Sequence, residues 1–307
     1  MQKFPSTWST KLNSANFKIT RGFAFAAGAG ASVLCGSFIV AANTVALSWS
    51  RSYCQAKRND VPLVPTPELR DLAENVMEDF QLSKSEAASV NLFCSSLGTL
   101  DVFGSITSRF GALIGLPSFL LSKSTEEVVF NYRLDPSLTK EEMEIQEATY
   151  RENSLMSDSA KRYIIAEGLG SVQNSYHFII PAAFASLGTA LTLGGTSFMI
   201  RRLNLHMYSF LHRNFLYTIT CSAFCVIALS ALNKFNEYNL RNTVRRLDKE
   251  YIDGGIEYYE KLLARAAVVD NYCYISLSDN IDVWMLIGNF TRKLEVLTKR
   301  KEEFSED

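Results

Sequence analysis

Few residues of this chain form the sets that catalysis or metal binding needs. His177, His206 and His212 are the only histidines, and none stands within helical reach of a second carboxylate- or thiol-bearing motif. Cys35, Cys54, Cys94, Cys221, Cys225 and Cys273 form no CxxC pair, so they read as small buried residues rather than a disulfide framework or zinc knuckle. No GxxxxGK loop followed by Ser or Thr is present for phosphates, and no GxSxG elbow for a nucleophilic serine. Gly28-Ala29-Gly30 opens a GxGxxG-like run, but Val33 replaces its last glycine and no strand precedes it. What remains is carboxylates, among them Glu167 and Glu237 in segments of helical pattern, and spacing alone singles out no pair. Two carboxylates without imidazole or thiolate make a poor zinc site. No catalytic, cofactor-binding or metal-binding residue is expected.

The elements that carry these acids can be read from local signals. Residues 158–175 have a helical pattern and hold Glu167. A further helix near 234–250 holds Glu237, and another at 255–267 is led by Gly254-Gly255, with a charged end from Arg292. Thr66-Pro67-Glu68 is a helix start: a capping hydroxyl, a proline at the first helical position and an acid meeting the dipole. Leu69, Leu72, Val76 and Phe80 follow as an apolar stripe. Residues 89–121 are short apolar runs broken by Gly98, Gly104, Gly111, Gly115 and Pro117, which points to strands. Thr139-Lys140-Glu141-Glu142 reads as a capping box.

Charge is unevenly spread. The composition, 47% hydrophobic and 21% charged with a net charge of -1, is that of an ordinary globule. Yet windows 22–50, 168–200 and 214–233 contain no Asp, Glu, Lys or Arg. Charge-free stretches of this length match the signal of membrane spans. The expected fold class is an α-helical membrane protein with three predicted spans, plus a small α+β soluble unit split around a transmembrane hairpin. Its parts are a basic N-terminus at 1–21, a first span at 22–50, soluble halves at 51–177 and 234–307, and a hairpin at 178–233. The hairpin has spans 178–200 and 215–233 joined by a basic loop, 201–214, with Pro181 in a tolerable early position. Gly22, Ala26 and Gly30 form a small-residue stripe suited to close helix contact in lipid. The predicted spans hold no Asp, Glu, Lys, Arg or His, which counts against a solute carrier.

The first acid of the chain is Asp60, and Lys3, Lys11, Lys18 and Arg21 lie among serines and threonines before the first window. Phe4, Trp8 and Leu12 share one helical face. This is the composition of a mitochondrial import segment rather than of a secretory signal. Near-zero net charge argues against nucleic acid as a partner.

Against this background the run Gly254-Gly255-Ile256-Glu257-Tyr258-Tyr259-Glu260-Lys261-Leu262-Leu263, followed by Ser278-Asp279-Asn280-Ile281, resembles the transmembrane protein 177 family. Ile114–Leu120 and Ala160–Ser175 support the likeness in order. The resemblance implies a non-catalytic scaffold of the mitochondrial inner membrane, multi-pass and lipid-embedded. It implies partners in cytochrome c oxidase subunit 2 and that subunit's small two-span membrane chaperone, and it implies no cofactor. Gly22, Ala26 and Gly30 become candidates for span contact, and Gly254, Gly255, Glu257 and Tyr258 for contact by the soluble part. The alternative use of the latter helix is core packing of Ile256, Tyr259, Leu262 and Leu263.

A second likeness is to membrane zinc metallopeptidases of the CAAX-protease type, which place HExxH on one helix and a third ligand at the start of ExEAD after further spans. Ala166-Glu167-Gly168-Leu169-Gly170 stands where HExxH would be, and Glu237-Tyr238-Asn239-Leu240-Arg241 where ExEAD would be. That likeness implies a degenerate site, with Ala166 and Gly170 in place of both histidines, Glu167 at the general-base position and Glu237 at the third-ligand position. The chain then reads as a pseudoenzyme, and the competing reading is a metallopeptidase with an altered zinc site.

Overall fold

The computed structural model describes residues 30, 33–34, 36–130, 132–173, 175–202, 219, 230–231, 234–273 and 277–306. Two compact units emerge: Met1–Ala41 with Phe178–Lys234, and Ala42–His177 with Phe235–Asp307.

The second unit is a mixed α/β assembly on a three-stranded sheet. Helix α1 (Leu47–Cys54) leads into a two-rung antiparallel ribbon, β1 (Lys57–Arg58) and β2 (Val61–Pro62). Asn59 and Asp60 make the turn with positive φ, the conformation that tight hairpins demand and these two side chains tolerate. Helix α2 (Pro67–Asp79) begins where the sequence signals it, with the Thr66 hydroxyl accepting from the Leu69 N–H at 3.3 Å. Ser83 and Glu86 close a capping box on the short α3 (Lys84–Ser89), which delivers the chain to β3 (Val90–Ser95).

β4 (Asp101–Gly104) and β5 (Ala112–Pro117) complete the sheet in the order β3-β5-β4, parallel between β3 and β5 and antiparallel between β4 and β5. All six residues of the central strand are buried, which explains its continuous apolar run. Gly104 and Gly111 close the β4–β5 connection at φ +76° and +77°, where side chains are strained and a Cβ would strike backbone oxygen.

Helix α4 (Lys140–Glu152) starts at the expected Thr139/Glu142 capping box, and α5 (Asp158–Val172) follows across β4 and β5. Gly168 lets α5 sit on the sheet, since a Cβ there would fall 2.8 Å from Ile114 Cγ2. After helical residues 234–244 come α7 (Lys249–Tyr272) and α8 (Leu277–Glu306), α6 being Tyr176–Arg202. Gly254 and Gly255 lie inside α7 rather than ahead of it. A Cβ on Gly254 would meet the Ser159 carbonyl oxygen at 2.3 Å, and one on Gly255 would meet the Tyr163 ring at 2.7 Å. The two glycines let α7 lie directly on the start of α5, and α8 packs along α7.

In the first unit, helical residues 36–41 meet α6 at Gly36, whose Cβ would stand 3.0 Å from the Ala182 carbonyl oxygen. Gly30 has open space around its Cβ position, and Gly22 and Ala26 lie outside the described residues.

These findings overturn the three-span expectation. Among the described residues no helix is long and apolar enough to cross a membrane. The expected membrane class, its transmembrane helices and the multi-pass inner-membrane location therefore fall. The physical reason is that missing charge reports burial without saying what does the burying. Leu47 and Ser50, at the end of the first window, are buried in the α/β unit, and α1 packs on β4 and β5. Gly168, Leu169 and Val172, at the start of the second, face the protein core. The helix there begins at Tyr176, which puts Pro181 inside it and not in its first turn. Residues 1–21, most of the loop 201–214 and most of the third window lie outside the described residues.

The glycine seam yields a paired test. Gly254→Ala should lower stability by about 2 kcal/mol, because overpacking against backbone outweighs the gain of about 1 kcal/mol from helix propensity. Gly288→Ala in α8, with nothing within 4 Å of its Cβ position, should gain about 1 kcal/mol. Urea midpoints of the two variants decide it; equal shifts would remove the packing role of Gly254.

Candidate functional site

Glu167 sits mid-way along α5 with its side chain 8% exposed. Burial of a carboxylate demands compensation, and two groups supply it. Lys293 Nζ of α8 donates to Oε1 at 2.5 Å, and the Tyr259 hydroxyl of α7 donates to Oε2 at 2.5 Å. Lys293 also lies over the Tyr259 ring, 5.3 Å from its centroid. Tyr163 and Tyr258 meet Tyr259 edge-on at 6.0 and 5.1 Å. Burial, and next the Glu167 charge, push the phenols of Tyr163, Tyr258 and Tyr259 well above their ordinary range. The Tyr163 hydroxyl is buried without a hydrogen-bond partner of its own.

The ion pair forms one end of a cavity of about 230 Å³ between α5, residues 234–244 and α8. Its walls carry carboxamides: Gln173, Asn236, Asn239, Asn242 and Asn289, together with Ser171, Thr243 and Arg246. Arg246 donates to Gln173 Oε1 at 2.9 Å. Carboxamides offer paired donors and acceptors without net charge, a wall suited to peptide groups or other uncharged polar ligands.

The positions of the peptidase likeness separate here. Ala166 is fully buried in the core, and Glu167 and Gly170 reach the cavity. A Cβ on Gly170 would stand 2.4 Å from Thr243 Cγ2, so the threonine fills the space an imidazole would need. Glu237 lines a different groove, of about 290 Å³, with Arg241, Arg245, Arg292 and Lys299. Its carboxylate pairs with Arg241 at 2.5 Å, one helical turn on. Glu167 and Glu237 thus do not share a cavity, and the residues present do not fit a zinc ion. Among the described residues no three His, Cys, Asp or Glu side chains form a group that could hold a metal ion.

The soluble-contact candidates lie along the α5–α7 seam. Gly254, Gly255 and Tyr258 are buried. Glu257 is half-buried; it accepts from the Ser157 N–H at 3.2 Å, from the Ser157 hydroxyl, and from Lys261 Nζ at 2.7 Å. Burial raises its carboxyl pKa, but the bonds from Lys261 and Ser157 outweigh that and hold it below the ordinary range.

Sequence reasoning missed Lys293 and the carboxamide wall. A signal for the wall exists, because Asn236, Asn239 and Asn242 recur every third residue and share one face of a helix. Lys293 gave none; its partner lies 126 residues away. No family model, curated protein or solved structure matches the chain.

Three substitutions rank the cluster. Lys293→Met, which strands a buried carboxylate, should cost about 3–5 kcal/mol. Tyr259→Phe should cost about 1.5–3 kcal/mol for the lost bond to a charged acceptor, and Tyr163→Phe should be neutral or stabilising. Chemical denaturation at pH 7 reads all three; a Tyr163→Phe loss as large as that of Tyr259→Phe would contradict the arrangement. The same phenols set an alkaline limit. Their folded pKa values lie above the unfolded value of about 10, so their contribution is complete below that pH and lost as pH rises beyond it. Stability measured from pH 8 to 11 should fall above about pH 10, as the unfolded chain loses its phenolic protons first.

Proposed function

We propose that this chain is a non-catalytic assembly scaffold that supports the biogenesis of cytochrome c oxidase subunit 2 by stabilising the subunit's small chaperone. The likeness over Gly254–Leu263 and its flanking runs suggests the partners. The single observation that supports a scaffold over a peptidase is the engagement of Glu167. A general base must be free to take a proton from the attacking water. This carboxylate instead ties α5 to α7 and α8 through Tyr259 and Lys293. Gly170, at the position of the second histidine, faces Thr243. In place of a metal site there is a polar cavity whose carboxamides suit the main chain of a client segment.

The test is affinity purification of the chain from cells whose newly made mitochondrial translation products carry a pulse label. Labelled subunit 2 and its chaperone should be enriched over other mitochondrial products. Loss of the chain should shorten the chaperone's half-life. Equal recovery of all labelled products, with an unchanged chaperone half-life, would end the proposal.

A further inference from the structure

The groove that holds Glu237 has no part in the scaffold reading. It lies between the 234–244 helix with Arg245 and the C-terminal half of α8, and encloses about 290 Å³. Helical spacing builds its walls. Arg241 and Arg245 stand four residues apart on one side, and Arg292, Val296, Lys299 and Glu303 recur every three or four residues along α8 on the other. Val244 is buried and Val296 half-buried, whereas most of the charged lining residues are exposed.

Five cations and three carboxylates line the groove, which leaves two positive charges there in a chain whose net charge is -1. Two of the carboxylates are already committed. Glu237 accepts from Arg241 at 2.5 Å, and Glu303 from Arg300 at 2.8 Å. The bond from Arg300 holds the Glu303 carboxyl below its ordinary range, and the charges of Arg300, Lys299 and Arg245 add to that effect. Arg245 on one wall and Lys299 on the other thus act on the same point.

Arg245, Arg292 and Lys299 make no ion pair and no side-chain hydrogen bond among the described residues, and all three are exposed. Their donors are therefore open to a ligand in the groove that they line. Like charges brought together without partners raise the local potential, and a concave wall concentrates it. Guanidinium and ammonium donors arriving from two sides fit an anion with several oxygens around one centre. Two surplus positive charges match a phosphate dianion.

We propose that this groove is a binding site for a phosphate group, held by Arg245, Arg292 and Lys299. A soluble phosphate ester and a lipid headgroup present that same chemistry. The site shares no lining residue with the Glu167 cavity and is independent of the scaffold reading.

The experiment is isothermal titration of the full chain with inorganic pyrophosphate, beside flotation with phosphatidylcholine vesicles made with and without phosphatidic acid. Pyrophosphate should bind saturably at one site. Arg292→Gln combined with Lys299→Gln should weaken it at least about tenfold, the factor that one charge-assisted bond carries, while circular dichroism stays that of the parent. Lys57→Gln combined with Arg58→Gln removes the same charge from the exposed β1 and should leave affinity unchanged. Glu295→Gln takes an unpaired carboxylate out of the groove and should tighten binding about threefold. Pyrophosphate binding without vesicle capture assigns a soluble phosphate; capture that needs phosphatidic acid and is lost in the Arg292/Lys299 variant assigns a headgroup. Neither saturable pyrophosphate binding nor phosphatidic acid-dependent flotation by the parent chain would overturn the proposal. So would equal weakening by the two double variants, or binding undiminished in the Arg292/Lys299 variant.

Discussion

The α/β unit is organised around one buried carboxylate. Glu167 lies where α5 faces both C-terminal helices, and an ionised group there is tolerable only if cationic and hydroxyl donors arrive from those helices. Lys293 and Tyr259 meet that demand. The consequence is geometric: α5, α7 and α8 must hold one rotation and one register for both bonds to form. Apolar contacts alone would accept small slips of one helix along another, whereas a charge in a low-dielectric interior does not.

The glycines and tyrosines of the seam follow from the same constraint. Tyr259 reaches Glu167 only if α7 lies close to α5, and Gly254 and Gly255 permit that approach against the Ser159 backbone and the Tyr163 ring. Tyr163, Tyr258 and Tyr259 then pack edge to face in the space that remains. Gly168 performs the corresponding service on the sheet side, where α5 rests on Ile114. The run Gly254-Gly255-Ile256-Glu257-Tyr258-Tyr259 is distinctive because several close-packing requirements coincide within two helical turns. Its Glu257 is the exception, turned to the start of α5 and bonded to Ser157.

The cavity beside Glu167 and a smaller pocket lined by Arg265 differ in kind. The first is walled by carboxamides, Arg246 and His177 beside the Glu167–Lys293 ion pair. The second is mostly apolar, and its one charged lining residue, Arg265, stacks on Phe119 and Tyr150.

Local chemistry made part of this structure legible. Thr66 and Thr139 start helices because capping bonds span only three residues, and the Gly-broken apolar runs of 89–121 hold the whole three-stranded sheet. The carboxamide stripe at Asn236, Asn239 and Asn242 was equally readable, since it needs only helical spacing. Other features could not be read this way. Charge-free windows reported burial, and only the packed structure showed that Leu47, Ser50, Leu169 and Val172 are buried by protein. The partner of Glu167 and the separation of Glu237 into another groove depend on how distant helices meet. By itself the sequence determined where elements begin and which residues avoid water, because those effects act over a few residues or on single side chains. Which group neutralises which, and what medium covers an apolar face, was decided by tertiary contacts between residues distant in sequence, 92 positions apart for Tyr259 and Glu167 and 126 for Lys293 and Glu167.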